Sequence, residues 1–151
     1  MISKFKQFLE EKISNKSVKE SDSVEKQLQI ATAALFVEMS LADFESAPEE
    51  EASIRAALTE AYALTGEELE EVMSLASEKM EASSCLYEFT RLINQHYEPQ
   101  QKYHVVKLLW RVAYADGRLD KYEEQLIRKV ADLIFVPHKE MMKAKHQEKK
   151  D

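Results

Sequence analysis

The chain has 151 residues, enough to bury a substantial core in one domain. Hydrophobic residues make up 44% and charged residues 32%, which excludes a disordered chain; two glycines and three prolines leave too few breakers for a β-sandwich. The formal net charge of −7 argues against nucleic acid as a partner.

In chain order, Ile2, Phe5, Phe8 and Leu9 fall at helical spacing, so the segment to Ile13 reads as a short amphipathic helix docked on the protein's own core. The polar stretch from Ser14 to Ser23 lacks periodicity and reads as a linker. This gives an expected organisation of a helix and linker over 1–22 and a helical domain over 23–151. The domain opens with a stripe through Leu28, Ala31, Leu35, Val37 and Met39 to Ala42. A loop follows at Asp43 to Ala47, and Pro48 then starts a helix whose first turn carries Glu49, Glu50 and Glu51. Proline in that turn lacks only an N–H that would be orphaned anyway, and the glutamates suit the positive end of the helix dipole. Thr65 and Glu68 have the spacing of a capping box for the next helix, through Leu69, Val72, Met73 and Leu75.

The second half repeats this plan. Leu86, Phe89, Leu92 and Ile93 mark a helix ending near His96. Pro99 starts another that carries Val105 to Ala113 and ends at Ala115-Asp116-Gly117. Asp120 to Ile134 and a last helix from Pro137 complete about eight helices with no convincing strand, an all-α bundle. No apolar run is long enough to span a membrane or serve as a secretory h-region, so the cytoplasm is the expected location.

A shift of 73 positions, the distance from Asp43 to Asp116, lays Leu35–Arg55 over Leu108–Arg128. Ala42/Ala115, Asp43/Asp116, Glu50/Glu123, Glu51/Glu124, Ile54/Ile127 and Arg55/Arg128 coincide. Helix periodicity alone would match apolar positions only, so the matched polar ones point to a duplicated helix–acidic loop–helix unit with pseudo-twofold packing.

The motif AYADGRLDKYEEQLIRKVADL, with its first copy EMSLADFESAPEEEASI, resembles the tellurite-resistance TerB-like family over roughly Gln27 to Lys145. The resemblance implies a helical fold, a place in tellurite and stress-resistance operons, and no enzymatic activity. A related domain occurs on a membrane-anchored DnaJ-type co-chaperone, and a metal-binding role has been proposed for the family's acidic residues. The first loop departs from the pattern: Phe44 stands where the second has Gly117, Glu45 replaces Arg118, and Ala47 replaces Asp120.

Two roles compete for the acidic loops. Asp116, Asp120, Glu123 and Glu124, with Asp43, Glu50 and Glu51, could converge on a divalent cation, because hard cations need several oxygen ligands. The spacing is not that of an EF-hand. Helix capping is the favoured alternative: Gly117 as the residue after the helix end, Asp120 with Glu123 as a capping box, and Asp116 bonded across the turn. Cys85 alone can form neither an internal disulfide nor a cysteine-based metal site, and reads as a buried thiol. His96, His104, His138 and His146 form no catalytic pattern, Trp110 and Tyr114 read as core, and the lysine-rich end from Lys143 to Lys150 reads as a solvated helix end. The expected function is a non-catalytic binding or adaptor module with protein partners, as a monomer or weak homodimer. The alternatives are a divalent-cation-binding protein and, more remotely, a metal-assisted hydrolase.

Overall fold

A computed structural model of the chain describes residues 4–14, 21–43, 48–75, 82–115 and 121–149. Among these residues it holds eight helices and no strand, an all-α fold. They are α1 (Lys4–Ser14), α2 (Ser21–Asp43), α3 (Pro48–Tyr62), α4 (Gly66–Leu75), α5 (Ala82–His96), α6 (Pro99–Ala115), α7 (Lys121–Leu133) and α8 (His138–Glu148).

Two helices form the interior. From Ile30 to Val37, α2 is buried at every position, as expected of a helix that is apolar on all sides. It touches α1, α3, α4, α5 and α6. Thr32 is buried without penalty because its hydroxyl donates to the Leu28 carbonyl at 2.7 Å, and Thr90 in α5 does the same to Leu86 at 2.9 Å. The second interior helix, α6, buries Val105, Val106, Leu108, Leu109, Trp110, Val112 and Ala113 against α2, α3, α7 and α8. The amphipathic α1 lays Phe8, Leu9 and Ile13 onto α5 and α2.

The starts of α4 and α6 are closed by side chains. Thr65 and Glu68 form the capping box of α4: Glu68 N–H donates to Thr65 Oγ1 at 3.1 Å, and Thr65 N–H donates to Glu68 Oε1 at 2.9 Å. Gln101 closes α6 in the same sense, accepting from Glu98 N–H at 2.9 Å. Lys26 of α2 ties the α3–α4 corner together. Its ammonium donates to the Ala63 carbonyl at 3.2 Å and lies 3.3 Å from Glu68 Oε1. Burial works to raise the Glu68 pKa, but the Thr65 N–H and the Lys26 ammonium outweigh it and hold the carboxyl below its ordinary value.

Two helices end on left-handed residues that are not glycine. Ala63 (φ 50°) closes α3 through Ala63 N–H to Thr59 O at 3.0 Å. Phe135 (φ 64°) closes α7 in a Schellman arrangement, with Val136 N–H to Ala131 O at 2.8 Å and Phe135 N–H to Asp132 O at 3.2 Å.

Candidate functional site

Three places in the described structure gather polar or aromatic groups. The first is the seam between α6 and α8. Arg111 grips Glu148 with both ends of its guanidinium, Nε to Oε1 at 3.0 Å and Nη2 to Oε2 at 3.4 Å. Lys107 Nζ lies 3.7 Å from the same Oε2. Next to this cluster a cleft of about 240 Å³ is lined by Glu60, Ala61, Arg111, Tyr114, Ala115 and Glu148. It sits at the C-terminal end of α6, immediately before Asp116 in the chain. Burial and then the nearby Glu124 push the Tyr114 phenol above its ordinary value, so it stays neutral around pH 7.

The second place is the contact of α7 with α8. Glu124 Oε1 lies 3.2 Å from Arg128 Nη2 and 3.7 Å from Lys145 Nζ. The Lys145 ammonium also lies 5.3 Å from the centre of the Trp110 ring, which packs at 6.1 Å against Tyr114.

The third place is a groove of about 420 Å³ where the start of α6 meets the α7–α8 corner. Its walls include Pro99, Tyr103, Phe135, Val136 and Pro137, and Lys102, Lys143 and Glu140 also line it. Phe135 is 77% exposed. Lys102 Nζ stands 5.6 Å from the Phe135 ring centre and Lys143 Nζ 6.0 Å from that of Tyr103. Tyr103 is fixed by donating its hydroxyl to Gln147 Oε1 at 2.9 Å.

Of the residues singled out in the sequence, Asp116 and Asp120 lie outside the described residues, as do Gly117 and Phe44. Asp43 is the last residue of α2, Glu50 and Glu51 lie in the first turn of α3, and Glu123 lies in the first turn of α7; their side chains are outside the description. Glu124 is described, and its carboxylate faces two cations rather than other acids. Among the described residues no three His, Cys, Asp or Glu side chains gather where a metal ion could sit. Cys85 is buried, with its Sγ 3.8 Å from Glu38 Oε2.

The comparisons with known proteins fit this helical frame. The family model described as tellurite resistance protein TerB matches residues 29–146, most of the chain. The chain belongs to the TerB family. No curated protein and no solved structure matches it. The TerB match runs from α2 into α8 and takes in the three places described above except for Gln147 and Glu148, which lie just past its end. No helix of the TerB chain, among the described residues, is long and apolar enough to cross a membrane.

Sequence reasoning passed over Phe135 and its groove. One signal was present: Leu133, Ile134, Phe135 and Val136 are four consecutive apolar residues at a helix end. A helix cannot turn four consecutive side chains to one core, so at least one must face outward. It also passed over Glu38, which is buried in α2.

Proposed function

We propose that this TerB-family chain is a non-catalytic binding module of tellurite and stress resistance, working in the cytoplasm on protein partners. The observation that carries the reading is the division of labour on the surface around α6 and α8. At the α6–α8 cleft Arg111 is engaged with Glu148, which Lys107 also approaches, an arrangement that ties helices together. An exposed aromatic and two lysines face outward around the separate groove beside the α7–α8 corner. A groove of aromatic and apolar walls with a few charged groups at its edge suits recognition better than proton transfer or nucleophilic attack. The test is a strain lacking the gene, challenged with tellurite and with oxidative stress. Tolerance is expected to fall and to return when the chain is supplied in trans; unchanged tolerance under each stress would count against the reading.

A second reading, a divalent-cation role for the acidic loops, has its own support. Pro48 opens α3 and Lys121 opens α7 at the 73-residue spacing that relates Asp43 to Asp116. We take the two helix–loop–helix units as products of one duplication. Each then presents its acidic residues at the same kind of helix junction.

A further inference from the structure

We propose that the groove between the start of α6 and the α7–α8 corner docks an acidic peptide segment that carries a large apolar anchor side chain. The inference rests on the binding-module reading and specifies its surface and its partner.

The first argument is conformational. Phe135 holds a left-handed backbone that glycine adopts far more cheaply. The helix end does not need a phenyl ring, because the Schellman bonds come from the backbone alone. Nor does the core need it: the side chain is 77% exposed while its neighbours Ile134 and Val136 are buried. A strained backbone that presents an aromatic ring to solvent is accounted for if the ring has an outside partner.

The second argument is charge. The chain carries a formal net charge of −7, yet the groove is lined by Lys102 and Lys143 against the single acid Glu140. Both ammonium groups are held over aromatic rings at the groove, within reach of an occupant's carboxylates. Helices α6 and α8 begin here, at Pro99 and His138, while α5 and α7 end here, at His96 and Leu133, so the helix ends offset one another and the two lysines set the sign of the field. Acidic residues flanking an apolar anchor complement this pattern, whereas a basic segment would meet repulsion. About 420 Å³ is room for one large side chain and its flanking backbone.

The experiment selects random dodecapeptides displayed on phage against the full chain, then measures the synthetic, fluorescein-labelled winners by anisotropy. Two variants accompany it: Phe135→Gly, and Lys102→Glu with Lys143→Glu. The expected result is enrichment of acidic sequences with a Phe, Leu or Trp anchor. Binding should weaken at least tenfold in each variant and weaken with added salt. Phe135→Gly should keep its melting temperature or gain about 2–4 °C, so lost binding cannot be blamed on unfolding. Enrichment of basic peptides, or no enrichment, overturns the proposal. Winners that bind both variants as well as the parent overturn the groove as the site but leave the binding-module reading standing. Self-association of the chain that Phe135→Gly abolishes, with no peptide bound, assigns the groove to a second copy and overturns the peptide.

Discussion

Tyr62 lies at the last position of α3 with its ring buried, and its hydroxyl donates to the Leu108 carbonyl of α6. This bond joins two helices that are 46 residues apart in the chain. Burial raises the phenol's pKa well above its ordinary value; Arg111 opposes that, and Glu148 adds to it. The folded protein therefore keeps a proton that the unfolded chain gives up near pH ~10. Stability from this group is whole below that value and is lost as pH rises past it. Tyr62→Phe should cost about 0.5–1.5 kcal/mol at neutral pH through the lost hydrogen bond. It should also flatten, without abolishing, the alkaline fall in stability, because burial raises Tyr97 in the same direction. Denaturant titrations at neutral pH and through about pH 9–11 check both; unchanged stability with an unchanged alkaline slope would refute the assignment. Residues of this kind are the hardest to read from sequence. Tyr62 lies in the helix expected from Pro48, but its partner is a backbone oxygen on another helix. Glu38 sits in the apolar run from Leu35 to Met39, and the approach of Cys85 from α5, one group that its carboxylate meets, is invisible in that run.

Helix starts were more legible than helix stops. Pro48 and Pro99 open α3 and α6, and the Thr65–Glu68 box forms as its spacing predicts, because these signals act within one turn of backbone. Stops were obscured by the sparing use of glycine: α3 and α7 close on Ala63 and Phe135, residue types that carry no stop signal. The sequence expectation of a helix through Ile134 misses the turn by one residue, since α7 ends at Leu133 and the chain reverses over the next two positions. The capping box offers a direct test. Thr65→Ala removes the acceptor of the Glu68 N–H while leaving the backbone donor that binds the Glu68 carboxylate. The expected cost is about 1 kcal/mol, within the usual range for a lost N-cap. For a chain of this size that is roughly 2–4 °C in melting temperature. Thr65→Ser should restore it, since serine supplies the same oxygen. Equal melting temperatures for the alanine variant and the parent would show that the cap contributes nothing to the fold.

At the scale of the molecule, the number and order of helices among the described residues and the family were legible, because apolar spacing and the Ala-Asp motif are local patterns. Which helices pair was not. The contacts of α1 with α5 and of α3 with α6 join segments far apart in the chain, and no periodicity encodes them. The acidic loops stand between these levels: the sequence places an Ala-Asp pair at each, and the structure describes where the flanking helices begin and end. A cation that binds only the native state must raise the melting temperature, by about 2.7 kcal/mol of stability when its concentration is a hundred times its dissociation constant. If the loops hold a divalent ion, Ca²⁺, Mg²⁺, Mn²⁺ or Zn²⁺ at millimolar concentration should raise the melting temperature by roughly 5–10 °C. Asp116→Asn with Asp120→Asn should then abolish the rise. Glu124→Gln should leave it intact, because that carboxylate is already engaged by Arg128 and Lys145. The capping alternative predicts the opposite pattern. Under it no metal moves the transition, and Asp120→Ala alone costs about 0.5–2 kcal/mol with or without metal. Calorimetric melting of the parent and these variants separates the two, since stabilisation by a ligand grows with the logarithm of its concentration and a cap's contribution does not depend on metal.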